Sequence, residues 1–414
     1  MQEDRFLIVG GGIAGLTLAL ALEKKGLASL VMERNKGSLS AGAGIQLSPN
    51  ASRILNSLGL GNLLLKYVSR PDSTWFRNWR SGKIIHKSDL GDKAEAKYGA
   101  PYWQVHRADL AVVLLEATRQ KPLIEFLPNC EVLKIHSEKS GTLVETSLGE
   151  KKGVGIIGAD GIKSTVRDEM FRNKEEARFT GNVAWRCLVP ADRVSEVFRE
   201  PATSVWWGPR KHFVHYPVRQ GALINCVCVA EKDAWTEESW TKSGDKKALT
   251  SAFASWHPII EELIQEAHEE ELYEWGLFDR PAMSTWFKGR TTLIGDACHP
   301  MLPFLAQGAA MAIEDAFILA EMIAMQTHRL EKTFEIFFHE RIERVSKVQN
   351  ASRRNATVFH LSGISALVRN ILAPTQGQRI SDYLYKFNAI DKYSAKPMII
   401  ERGGLSNATN SNKQ

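Results

Sequence analysis

The chain has 414 residues, 44% of them hydrophobic, enough for a large core and more than one compact domain usually needs. Its 53 Lys and Arg against 47 Asp and Glu leave a net charge of +6 and a pI near 8.9, with the two signs interspersed. No basic stripe of the nucleic-acid-binding kind is present, so nucleic acid is excluded as the expected partner, while the mild positive balance favours anionic ligands.

Residues 6–9 form a continuous apolar run ended by glycines, followed by a helix-periodic segment to about Lys25 and a second apolar run over residues 29–32. This order predicts a strand, a tight turn, a helix and a parallel strand. The stretch 6–22 is apolar, but its glycines and the leader Gln2-Glu3-Asp4 argue against a signal sequence or a membrane span, and a cytoplasmic protein is expected.

The turn itself reads Gly10-Gly11-Gly12-Ile13-Ala14-Gly15, with Glu33 at the end of the next strand. Gly10 permits the tight turn, Gly12 lets the backbone approach a pyrophosphate, and Gly15 allows close packing of the helix. Unpaired N–H groups at the helix start suit a diphosphate, and Glu33 suits ribose hydroxyls. A dinucleotide is therefore expected, without a choice between FAD and NAD.

Further along, residues 105–120 read as a helix entered through His106-Arg107-Ala108-Asp109, residues 130–147 as two strands about Ser140-Gly141, and residues 154–157 as a buried strand. Residues 70–100 read as an insertion. From about 178 to 280 the character changes to alternating strands and many tryptophans, among them Trp185, Trp206, Trp207, Trp235, Trp240, Trp256 and Trp275. A last short strand at 291–294 and a long helix from about Gly308 to Gln326 follow, then one or two amphipathic helices over 333–358 and a disordered tail from Gly403. Cys130, Cys187, Cys226, Cys228 and Cys298 have no CxxC pair and no zinc-type spacing, which predicts reduced, mostly buried thiols and no metal.

Two later segments carry a resemblance. They are Gly158-Ala159-Asp160-Gly161 with its continuation to Arg167, and Gly295-Asp296-Ala297-Cys298-His299-Pro300 leading to Gln307-Gly308-Ala309-Ala310. With the glycine turn, the chain resembles the class A FAD-dependent aromatic monooxygenases, in the branch of salicylate hydroxylase, 3-hydroxybenzoate 6-hydroxylase and 6-hydroxynicotinate 3-monooxygenase. The resemblance implies an α/β fold with a Rossmann-like, glutathione-reductase-type FAD-binding domain (1–70, 100–177 and 281–330) interwoven with a mixed-sheet substrate domain (71–99 and 178–280). A C-terminal helical region (331–402) completes it.

It also implies tightly bound FAD, NADH or NADPH as a transient reductant, and O2 as co-substrate, forming a C4a-hydroperoxyflavin that hydroxylates a small aromatic compound. The cofactor-binding residues it assigns are Gly10, Gly12, Ala14, Gly15, Glu33, Arg34, Arg107, Val132, Asp160, Gly295, Asp296, Gly308 and Ala309. A monomer or homodimer is expected.

In the segment His212-Phe213-Val214-His215-Tyr216-Pro217, strand alternation puts His212, Val214 and Tyr216 on one face and His215 on the other. The spacing of His212 and Tyr216 resembles the family pair that assists loss of the phenol proton, and a phenolate is the stronger carbon nucleophile. Gln46, Pro300, Pro303 and Phe304 are the expected substrate pocket. Relatives acting on 3-hydroxybenzoate carry Gln where Pro303 stands, and hydroxynicotinate hydroxylases carry His at both Gln46 and Phe304. A less polar pocket is therefore expected here, against both of those substrates. His299 is not expected to act as the base. The rival readings are a hydroxylase or epoxidase of a bulkier quinone precursor, a flavin-dependent dehydrogenase or reductase, and a non-catalytic nucleotide-binding module.

Overall fold

The computed structural model describes residues 4–36, 43–137, 141–171, 177–235, 242–325 and 329–394. The tail from Gly403, together with Ser140, Trp240 and Gln326, lies outside the described residues. The expected strand, helix and strand at the start are β1 (Phe6–Val9), α1 (Ile13–Glu23) and β2 (Ser29–Glu33). All four residues of β1 are buried, as a strand covered on both faces must be. β3 (Gly44–Leu47), α2 (Pro49–Ser57), α3 (Gly61–Leu64), β4 (Ser73–Asn78), β5 (Ile84–Asp89) and α4 (Gly91–Tyr98) come next.

β6 (Trp103–His106) leads into α5 (Arg107–Arg119) and β7 (Ile124–Pro128). A meander of β8 (Val132–Ser137), β9 (Thr142–Thr146) and β10 (Gly149–Gly153) precedes β11 (Gly155–Gly158) and α6 (Thr165–Phe171). Then follow β12 (Arg178–Pro190), β13 (Ala202–Gly208), β14 (Lys211–Val218), β15 (Leu223–Glu231), α7 (Lys246–Phe253), α8 (Pro258–Glu266) and β16 (Tyr273–Asp279). β17 (Phe287–Lys288), β18 (Thr291–Leu293), α9 (Gly308–Met325), α10 (Leu330–Phe359), α11 (Gly363–Tyr385) and α12 (Ala389–Tyr393) complete the chain.

A six-stranded sheet has the order β17-β18-β11-β1-β2-β7, parallel except at its β17 edge. α1 is apolar all round, with residues 15–22 buried, because it is enclosed by the sheet, α5 and α9. A seven-stranded sheet has the order β16-β12-β15-β14-β13-β4-β5. The insertion at 70–100 supplies its last two strands, with β4 parallel to β13. One face of this sheet packs on α7 and α8 through Trp206, Phe213, Phe253 and Ile260.

The segment expected as one or two helices over 333–358 is the single 30-residue α10. α11 contains Pro374 and Gly377, residues that weaken a helix reading, and it nevertheless runs for 23 residues. All five cysteines are buried and free. Among the described residues, no helix is long and apolar enough to cross a membrane.

Candidate active site

The two sheets and α11 enclose a cavity of about 1240 Å³ that runs from the glycine turn to β14. A pocket for one small molecule is typically about 300–1,000 Å³. This space suits a large ligand and a small one together.

At the glycine end, Gly10 has φ +105°, and a Cβ there would stand 2.5 Å from the carbonyl oxygen of Ala159. A Cβ on Gly15 would lie 2.0 Å from the carbonyl oxygen of Gly10, so Gly15 serves helix packing and does not line the cavity. Gly12 faces open space and, with Ala14, lines it. The start of α1 has no side-chain cap and no acidic residue in its first turn, so its N–H groups and positive dipole end are left for an anion. Glu33 is held by Gly11 N–H at 2.8 Å and by the backbone and side-chain N–H of Asn35 at 2.9 Å each. Arg34 and Val132 line the same end.

In the middle, Arg107 opens α5 and lines the cavity. Asp160 also lines it, and accepts from Ser164 Oγ at 2.6 Å and Val166 N–H at 3.0 Å, so it caps α6 as well. Burial raises its carboxyl pKa, partly offset by these bonds. Asp296 projects into the cavity with no side-chain hydrogen-bond partner among the described residues. Enclosure raises its pKa, against the pull of His299 and Arg107. Gly295 sits behind it, with φ +62° and its N–H on Asp315 Oδ2 at 3.0 Å. Gly308 and Ala309 open α9 at the cavity wall, again with no acid in the first turn.

At the far end, β14 turns His212, Val214 and Tyr216 into the cavity. His215 points the other way, among Phe198, Trp206 and Phe213. Gln46 lies beside Tyr216 and accepts from Tyr102 Oη at 2.5 Å through its Oε1. Burial pushes the Tyr216 phenol far above its ordinary pKa, so it stays protonated. Burial, aided by the neighbouring His360, pulls the His212 imidazole well below 6.5, so it stays neutral.

Gln46, Pro303 and Phe304 line this end. Pro300 does not. It is buried behind the wall with its carbonyl oxygen held by Gln349 Nε2 at 3.0 Å, which corrects the expectation that it forms the pocket. His299 is committed to Asp315 at 2.5 Å. Cys298, His299 and Asp315 approach one another closely enough to suggest a metal, but Asp315 is already matched by His299 and Arg341.

Sequence reasoning missed Arg186, Tyr102 and the whole wall from α11, including Tyr385. Arg186 lines the cavity with a buried, unpartnered Nε and its guanidinium 4.8 Å over Trp275. No carboxylate pairs with it among the described residues. Burial lowers its pKa to about 10, which leaves it a cation at neutral pH. Its signal in the sequence was an Arg between Trp185 and Cys187 in the otherwise apolar run 183–190, and the pocket is more polar than Gln46, Pro303 and Phe304 imply.

Residues 4–352 match the family described as "FAD binding domain". The chain belongs to this family. The chain is 35% identical over 398 residues to a 3-amino-4-hydroxybenzoate 2-monooxygenase of Streptomyces platensis, covering 94% of this chain and 97% of that protein. It is 33% identical over 387 residues to the 3-hydroxybenzoate 6-hydroxylase of Polaromonas naphthalenivorans, covering 92% and 96%. Its fold matches Klebsiella pneumoniae HpxO with FAD and uric acid at a TM-score of 0.81 and 24% identity, covering 93% and 97%. These relatives make it an FAD-dependent monooxygenase. The site fits FAD: Gly12 leaves an open cradle at a bare helix start, and Asp296 offers an unpaired acceptor farther along the same cavity.

Proposed function

We propose that this monooxygenase hydroxylates a small hydroxyaromatic acid, using NADH or NADPH as reductant and O2 as co-substrate. The observation that carries the reading is one continuous cavity joining the dinucleotide cradle to a pocket lined by buried His212 and Tyr216 and by the cation Arg186, which has no carboxylate partner among the described residues. Bound FAD supplies the electron and oxygen transfer. The hydroxybenzoate substrates named for the relatives support a ring bearing both a carboxylate and a hydroxyl group.

The chain's residues divide the remaining work. Gly10, Gly12, Glu33 and Asp296 bind the cofactor, with Arg34, Arg107 and Asp160 flanking it. Arg186 pairs with the substrate carboxylate, since a buried guanidinium gains most from a charged acceptor. Phe304, Pro303 and Val214 enclose the ring and exclude water. Tyr216, kept protonated by its burial, is a hydrogen-bond donor that orients the substrate hydroxyl. Neutral His212 takes its proton. The two sheets support a division of labour in which 1–70, 100–177 and 281–330 hold the cofactor, and 71–99 with 178–280 hold the substrate.

The test is NADH and NADPH oxidation by the flavin-loaded protein with 3-amino-4-hydroxybenzoate, 3-hydroxybenzoate and salicylate, with products read by mass spectrometry. A product one oxygen heavier is expected. Tyr216→Phe and His212→Ala are expected to slow its formation about 100-fold while the flavin spectrum is kept. Unchanged turnover in both variants removes the pair from the mechanism.

A further inference from the structure

His212 does not end at the cavity wall. Its Nδ1 lies 2.9 Å from Nε2 of His360, the residue that closes the C-terminus of α10. The other ring nitrogen of His360, Nδ1, lies 3.0 Å from Oε1 of Glu231 at the end of β15. Three ionisable groups far apart in sequence therefore form one hydrogen-bonded row. Its inner members are dry, with His212 2% and His360 7% exposed, whereas the Glu231 side chain is 33% exposed and reaches solvent.

The row is held from several sides. Rings of Phe304 and Phe359 stand 5.3 Å from the His212 ring. Arg210 donates its backbone N–H to the carbonyl of His360 at 3.2 Å and its Nε to Oε2 of Glu231 at 2.8 Å. Arg369 of α11 donates to the carbonyl of Phe359 at 3.2 Å. Such bracing fixes the order of atoms along the row. With Nδ1 of His212 facing His360, Nε2 is the ring nitrogen left for a substrate hydroxyl.

We infer that His360 and Glu231 form a proton exit from the pocket, carrying to the surface the proton that His212 takes from the substrate. The inference rests on the reading of His212 as the base. The O–H bond of the substrate breaks, its electron pair stays on oxygen as phenolate, and its proton goes to Nε2 of neutral His212. The Nδ1 proton of His212 passes to Nε2 of His360, and the Nδ1 proton of His360 passes to Glu231, which releases it to water. Each imidazole ends neutral with its proton on the opposite nitrogen. Running the row backwards restores the starting tautomers when the hydroxyl is protonated again. No oxidant or further reactant is needed.

The alternative is that His360 only props up His212. Glu231→Gln keeps an acceptor and His360→Gln keeps a polar side chain of similar reach, but neither can pass a proton on. The measurement is hydroxylation by the flavin-loaded full chain with each acid of the substrate panel that turns over, in H2O and in D2O. Both variants are expected to lower kcat roughly tenfold or more, with KM changed less than about twofold and a larger solvent isotope effect, as proton transfer becomes rate-limiting.

If kcat stays within twofold in both variants while His212→Ala is slow, the exit is refuted and the role of His212 stands. If His212→Ala is also fast, the base assignment fails and the exit with it. A rise in KM with kcat unchanged marks a propping role and likewise overturns the inference.

Discussion

Two groups of ionisable side chains, one behind the cavity wall and one lining it, differ in one respect. Where α9 meets α10, Glu314 is met by Arg341 Nη1 at 2.8 Å, by Arg344 at 2.8 and 2.7 Å, and by Asn50 Nδ2 at 2.7 Å. Asp315 is met by Arg341 Nε at 2.7 Å, His299 at 2.5 Å and the N–H of Gly295 at 3.0 Å. Every charge there has its complement, and the result fixes the turn that presents Asp296. Across the cavity, among the described residues, Arg186 has no carboxylate partner and stands over the face of Trp275, and His212 meets His360 through one ring nitrogen, Nδ1. Burying a charge is costly in both places. A closed network recovers that cost within the fold, whereas an open one is stable only when a ligand completes it.

The largest expected effect breaks the closed network. Arg341→Met leaves Glu314 and Asp315 without their shared cation, and should cost about 3–5 kcal/mol of stability in urea unfolding of the flavin-loaded protein. A loss under about 1 kcal/mol would mean the cluster does not hold the frame. On the open side, Arg186→Gln should raise KM for a hydroxybenzoate roughly 10- to 100-fold, from about 1.5–3 kcal/mol for a charged hydrogen bond. Flavin binding should be kept. An equal rise for the corresponding phenol lacking a carboxylate would deny Arg186 its assigned ligand.

A smaller effect tests Asp296, where replacement by Ala should weaken FAD binding about tenfold in equilibrium dialysis with the fold retained. Unchanged affinity would return Asp296 to the role of a simple turn residue.

A further effect, confined to acid pH, is on stability. His215 is held to about 3 by burial, with Arg77 adding to it, and His212 is lowered in the same direction. Above about 6.5 these groups are neutral folded or unfolded. Below that, the unfolded chain binds protons that the folded chain refuses, so stability should fall as pH drops from about 6.5 toward 3. Replacing His215 with Asn should flatten part of that fall, and an unaltered profile would show that other groups set it.

The cradle was legible because its chemistry is written in consecutive residues. Gly10 to Gly15 must turn tightly between strand and helix, whereas Gly295-Asp296 was legible only through the family resemblance. Strand alternation likewise placed His212 and Tyr216 on one face and His215 on the other. What escaped depends on pairings remote in sequence. Arg186 is one cation in the apolar run 183–190 until β12 is seen to border the cavity. His360 stands 148 residues from His212 along the chain. α11 falls inside the expected C-terminal helical region, 331–402, but only tertiary packing makes it a cavity wall. Pro300 was misassigned because neighbours along an extended turn point in different directions.

The most direct test is a single turnover under ¹⁸O2 with the reduced flavin-loaded protein and a hydroxybenzoate of the panel. The account predicts one labelled oxygen atom in the aromatic product and one in water, with labelled product depressed in both His212→Ala and Arg186→Gln. Quantitative oxygen consumption that yields hydrogen peroxide and no labelled product with any acid of the panel would contradict it.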